Sequence, residues 1–274
     1  MLTQARTVGH RVYADFLMPT RLGAFEGLLR RLLEAGYSVI SIETLCGMLG
    51  AGGLPEGHRY AVLRHDVDTD PRTAGAMWAI ERGLGVKGSY FFRLSTLDLP
   101  LMQAIAASGS GVGYHYEELA TVAKRRRLHT KEQALRHLPE AREEFVHNIG
   151  MLRAQTGLPL GVAASHGDFV NRRLGVPNWV ILADGVVRAQ VGIRAEAYDA
   201  DVNAPITARF NDTLHPRYWV PEAPTSAIDA GSPAIYLLVH PRHWRIARRV
   251  NAIDDMRRVT QALGLSLPFR QPAA

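Results

Sequence analysis

The sequence predicts an α/β fold built on a parallel sheet. Apolar, β-rich runs alternate with segments of helical periodicity, and several of the runs stop abruptly at an aspartate or a histidine. The 274 residues also suit one α/β barrel, a class that commonly runs to about 250 residues. Hydrophobic residues make up 47% and charged residues 21%, as in globular chains. With no Ser/Gly-rich linker and no internal repeat, residues 1–274 are expected to form a single domain.

Leu22 to Leu33 carries apolar residues at helical spacing, and Gly36 follows as a C-terminal stop. Tyr37 to Ile42 reads as a strand. So does Tyr60 to His65, which runs into Asp66-Val67-Asp68-Thr69-Asp70-Pro71; Asp70 and Pro71 open a helix over about 72–84. Strands follow at Lys87 to Arg93, Gly111 to His115 and Leu160 to His166, with a long helix over about 131–155 before the last of these. Ala234 to His240 is the final strand, and a helix over about 252–263 closes the pattern. From about 169 to 233 the periodicity weakens to one or two strands with long loops.

In a parallel sheet the carboxyl ends of the strands build the site, so Asp66, Asp68, His115, His166 and His240 converge on one rim although they lie far apart in sequence. Two carboxylates one residue apart can divide labour, one binding a metal while the other accepts a proton; the same pair can equally cap the next helix. An Asp with two histidines and an open position suits a divalent catalytic ion. Glu117 stands near enough to His115 to serve as a reserve ligand or substrate contact. Arg64 and Arg93 can orient Asp66, bind an anionic substrate or serve as structural ion-pair partners at the barrel mouth, and Tyr114, Tyr116 and Trp219 can stack on a sugar or pack in the core. His243 and Trp244 are expected to pack over the rim.

The formal charge is +6, from 32 basic and 26 acidic residues. Its short clusters (Arg125 to Arg127, Arg172 with Arg173, Arg248 with Arg249) lack interleaved aromatics, which argues against nucleic acid and leaves room for a small anionic substrate such as a nucleotide sugar. The opening residues lack a secretory pattern and no run approaches the roughly 18 apolar residues of a membrane span, so a cytoplasmic location without membrane partners is expected. The single cysteine, Cys46, agrees with a reducing compartment and is expected to pack as a small hydrophobe.

Several segments resemble the polysaccharide deacetylase superfamily, carbohydrate esterase family four and its relatives. FEGLLRRLLEAGYSVISIETL is similar to the helix and strand before the first motif, and LRHDVDTD to that motif, including the form seen in deformylases acting on lipid-linked aminoarabinose. VKGSYFFRLST resembles the next strand, GVGYHYEEL the second motif and IYLLVH the last. The resemblance implies a distorted (β/α) barrel with about seven parallel strands, TIM-like, and a zinc-like ion held by Asp, His and His, with cobalt, nickel or manganese as alternatives. It assigns Asp66 as general base, Asp68 and His115 as metal ligands and His240 as general acid. The family's next histidine is replaced by Leu119, which leaves His166, or Glu117, to complete the metal set; the arginine and proline of the third motif are also missing. The activity implied is removal of an acetyl or formyl group from an N-acylated amino sugar, nucleotide sugar or similar small metabolite. Two other readings are a barrel that only binds carbohydrate or metal, and an allantoinase-like hydrolase of another C–N bond.

Overall fold

A computed structural model describes residues 9–266, apart from the side chains of 257–259 and 261–266. Nine strands form one sheet: β1 (Tyr37–Ile40), β2 (Arg59–Val67), β3 (Ser89–Phe92), β4 (Gly111–Tyr116), β5 (Val162–Ser165), β6 (Ala195–Glu196), β7 (Ala208–Asp212), β8 (Trp219–Val220) and β9 (Ala234–Val239). Their order is β6-β5-β4-β3-β2-β9-β7-β8, and every pairing is parallel except β7 with β8. The α/β class and the mostly parallel sheet match expectation. The strand count exceeds the expected seven because the region of weak periodicity holds three short strands, β6, β7 and β8, where one or two were expected, and no ladder joins β6 to β7 or β8 among the described residues.

The long β2 is the spine of this sheet. One of its edges pairs first with β1, Tyr37 opposite Arg59 through Ile40 opposite Val62, and then with β3, Arg64 opposite Ser89 through Val67 opposite Phe92. Its other edge pairs with β9 from Tyr60 to His65.

Side chains alternate between the two faces of a strand, and here both faces are buried. On the outer face Ala61, Leu63, Ile235, Leu237 and Val239 pack with Phe25, Leu29 and Leu32 of the helix Leu22–Glu34. Farther along the same face Tyr90, Phe92, Tyr114 and Tyr116 pack with Phe145, Ile149 and Leu152 of the helix Leu138–Thr156. On the inner face Tyr60, Val62, Phe91, Val162, Ala164, Ala195, Tyr236 and Leu238 share one cluster, although β6 and β9 are far apart in the strand order. The sheet therefore curls around a small inner core. Gly113 is required there: a Cβ would fall 2.4 Å from the Val162 carbonyl and 2.5 Å from the Phe91 ring. Cys46 packs half-buried against this cluster, where burial pushes its thiol up to about 11.

Element boundaries shift for local reasons. β1 stops at Ile40 because the Ser41 hydroxyl accepts from Thr44 N and caps a helix, Ile42–Gly50, absent from the sequence reading. The single helix expected over 131–155 divides at His137, and the second helix begins with Pro139 in its first turn. Asp70 caps Pro71–Leu84 as expected, accepting from Arg72 N and from the Thr73 hydroxyl. The irregular region holds three strands, β6, β7 and β8, with short helical turns between them. The last helix starts earlier than expected, at Arg248. It is tied to the body by Arg242, which reaches Asp15 on one side and Asp254 and Asp255 on the other. Among the described residues no helix is long and apolar enough to cross a membrane.

One buried acid on the outer face sets a pH dependence. Glu118, 2% exposed, accepts hydrogen bonds from Tyr114 and Asn148, yet burial still pushes its carboxyl up to about 7. A group that holds its proton more tightly when folded loses stability as pH rises from its ordinary range through that value. Glu118→Gln keeps an acceptor for Tyr114 and Asn148 and carries no charge. It is expected to raise the unfolding free energy by up to about 3 kcal/mol near pH 8 and by little near pH 5, as thermal melts at the two pH values would read.

Candidate functional site

The carboxyl ends of β2, β4, β5, β7 and β9 bring the chemistry together. Tyr60, Val62, Arg64 and Asp66 alternate onto the inner face of β2, and Asp68 follows just beyond the strand. His115 shares the inner face of β4 with Gly113, His166 follows β5, and His240 follows β9. Asp68 Oδ1 lies 3.3 Å from His115 Nε2 and 3.1 Å from His166 Nδ1, and the two ring nitrogens are 3.2 Å apart.

Asp68, His115 and His166 form a group that could hold a metal ion. Metal–nitrogen and metal–oxygen bonds of about 2.0–2.2 Å in tetrahedral array hold ligand atoms roughly 3.3–3.5 Å apart, close to these separations. Two further features suit a cation. Asp68 Oδ1 is buried without a hydrogen-bond partner, which costs free energy unless a charge meets it. His115 Nδ1 lies 2.9 Å from the Ala164 carbonyl; a proton on that nitrogen leaves Nε2 as the free donor atom, the usual outer support of a metal-bound histidine.

Two other groups have comparable spacing, Glu117 with His166 and Asp168, and Asp212 with His240 and His243. Their carboxylates are already committed. Glu117 is paired twice over with Arg93, and Asp168 with Lys124 and with the Val170 N–H it caps. Asp212 takes the Nδ1 atoms of His240 and His243 at 2.7 and 2.9 Å, the backbone N–H of His240 and the Trp244 indole N–H. Leu119, at the position where the resembling family has a histidine, is fully buried in the outer core.

Asp66 and His240 flank the Asp68 group. Asp66 Oδ2 is 3.4 Å from His115 Nε2, and both its oxygens accept from Arg64 at 2.7 and 2.8 Å. Burial alone would favour the neutral acid, but the Arg64 guanidinium and the imidazoles of His115 and His240 hold the carboxyl below its usual range. Burial would likewise discharge His240. The Asp212 carboxylate, with Asp68 and Asp66 behind it, outweighs that and raises the imidazolium to about 9.

Arg93 and Glu117 line a cavity of about 570 Å³ together with Asp68, Lys124, His166 and Arg172. Two expected substrate contacts are corrected. Arg64 is 0% exposed, with Nε and Nη2 bonded to Asp66 and Nη2 also 3.4 Å from the Tyr198 hydroxyl, so it is placed to orient the carboxylate rather than to meet a substrate. Tyr116, also 0% exposed, alternates to the outer face with Tyr114, where both pack against Phe145; being one residue from His115, it must point away from the site. Trp219 is buried against Trp244. His243 does more than pack over the rim, since it bonds to Asp212.

The residue the sequence reading missed is Asp212. It ends the five-residue β7 within the region of weak periodicity, and the only signal there is an acid closing a short apolar alternation.

These distances predict ion binding. Titrated with zinc by calorimetry, Asp68→Ala is expected to lose stoichiometric binding and His166→Ala to bind about 10- to 100-fold more weakly or worse, whereas Glu117→Ala keeps near-native affinity. Equal affinity in the His166 variant and loss in the Glu117 variant would move the third ligand to Glu117. Compared with protein-family models, with curated proteins and with solved structures, the chain gives no significant match.

Proposed function

We propose that the chain is a metal-dependent amide hydrolase that removes an acetyl or formyl group from an amino sugar or a similar small metabolite, as a divergent relative of the polysaccharide deacetylase superfamily. The observation that carries this reading is a three-atom ligand set flanked by an ionised carboxylate on one side and a raised imidazolium on the other, all at one end of the sheet.

Asp68, His115 and His166 would hold the ion, zinc first among candidates, with cobalt, nickel and manganese able to use the same nitrogen and oxygen donors. Bound there, it would supply Lewis acidity to a carbonyl and favour ionisation of water. Asp66, kept ionised by Arg64, accepts the proton that the attacking water gives up. His240, kept protonated by Asp212, delivers a proton to the departing nitrogen, and the products are a free amine and a carboxylic acid. Arg172 on the cavity wall offers a positive charge to an anionic substituent on the substrate, while Arg93 and Lys124 beside it are paired with Glu117 and Asp168.

Asp66→Asn is expected to keep the ion and lose about 10²- to 10⁴-fold in turnover, read as acetate or formate release from a panel of acylated amino sugars. Retention of near-normal activity would sink the assignment of Asp66. Asp212→Asn removes the charge that raises His240, so the alkaline limb of the pH–rate profile should move to lower pH; an unmoved limb would free His240 from the acid role. A protein that binds zinc but releases no acid from any acyl amine would instead be a binding barrel.

A further inference from the structure

Two aromatic side chains remain exposed beside the site. Trp179 is 46% and Tyr198 45% exposed, and no other described tryptophan, tyrosine or phenylalanine is exposed. Both line a cavity of about 370 Å³ whose walls include His166, Gly167, Val176 and Pro177. His166 and Gly167 also line the larger polar cavity, so the two spaces adjoin at a candidate metal ligand.

Each ring is held by a buried polar anchor fixed to the turn that carries His166. Asn178, 1% exposed and next to Trp179, donates to the His166 carbonyl at 2.7 Å and to Asn171 at 2.9 Å, while its own oxygen accepts from Ala120 N at 3.1 Å. Glu196, 2% exposed, accepts from Tyr198 N at 2.6 Å and from Ser165 N at 2.7 Å. Burial and hydrogen bonding are thus spent mainly on the backbone beneath the rings; the Tyr198 ring also has the Arg64 guanidinium over it at 4.7 Å, and both side chains keep nearly half of their surface in solvent. Tyr198 also places its hydroxyl 3.4 Å from Arg64, the partner of Asp66.

An exposed aromatic face removes itself from water by meeting another flat apolar face, and a six-membered ring offers one, either the C–H face of a pyranose or the π-face of an aryl group. We propose that Trp179 and Tyr198 form a ring-binding subsite, which receives the ring bearing the acylated nitrogen on the side of His166 away from the polar cavity. The assignment rests on the hydrolase reading above. It makes the substrate an N-acylated cyclic amine, and it moves ring recognition from the buried Tyr116 and Trp219 to two residues on loops.

Ligand-observed NMR titrations would test it, with N-acetylglucosamine, acetanilide and the acyclic N-acetylethanolamine as probes and circular dichroism as the check on folding. At least one ring probe should bind the wild-type protein more tightly than the acyclic one. Its affinity should fall about three- to tenfold in Trp179→Ala and in Tyr198→Ala and stay unchanged in Tyr198→Phe, which keeps the ring. Preference for N-acetylglucosamine marks a sugar substrate and preference for acetanilide an aryl amine; both support the subsite. No preference of either ring over the acyclic probe, or folded alanine variants that bind like the wild type, overturns it. Acetate appears in the same spectra, so the two readings fail separately. Ring binding without release removes the hydrolase and leaves the subsite, whereas release with unaltered binding in the alanine variants does the reverse.

Discussion

The alternation of side chains along β2 is the constraint from which the site follows. Because β2 is hydrogen-bonded along both edges, to β1 and β3 on one and β9 on the other, its register cannot slip without breaking three ladders. A slip of one residue would turn every side chain to the opposite face. As the strand stands, Arg64 and Asp66 enter the inner space while Leu63, His65 and Val67 enter the helix-covered side. His65 shows how complete the separation is: one residue from Asp66, it stacks on Tyr90 at 4.1 Å and pairs with Glu81 on the opposite face.

Each group given a proton-transfer role is held by a buried opposite charge. Arg64 grips both oxygens of Asp66, and Asp212 grips a ring nitrogen and the backbone of His240. Isolated, either charge would be costly in so enclosed a setting; paired, each is held in one ionisation state and one orientation before any substrate arrives. The same logic governs the rim, where Asn178 and Glu196 immobilise backbone so that the side chains above them can wait in solvent.

Much of this was legible in the sequence because strands that end in acids or histidines are local patterns. The runs ending near Asp66, His115, His166 and His240 each showed both the strand and the residue at its mouth, and of the two candidates left for the third ligand, His166 and Glu117, it is His166 that lies beside both Asp68 and His115. Period-two reasoning carried far enough would also have turned Tyr116 away from the site, since it neighbours His115. What was not legible came from contacts distant in sequence. For Arg64 the pattern allows both a partner of Asp66 and a substrate contact, and only its burial against Asp66 decides between them. Asp212 ends a strand, ARFND, in which an arginine and an asparagine break the apolar run that marks the other strands, and Trp179 and Tyr198 acquire meaning only through anchors bonded to the backbone of residues 165 and 166. The helix Ile42–Gly50 was hidden for another reason: its apolar opening continues that of β1, and only the cap at Ser41 divides them.

Arg242 gives the arrangement a mechanical side. It sits two residues after His240, and its single guanidinium ties together the segment at Asp15 and the final helix at Asp254 and Asp255. The fork of donors on arginine can serve several carboxylates at once, which the point charge of lysine cannot. The turn bearing the proposed proton donor is therefore moored to both outlying parts of the described chain, and tension on either would reach the imidazole through one knot.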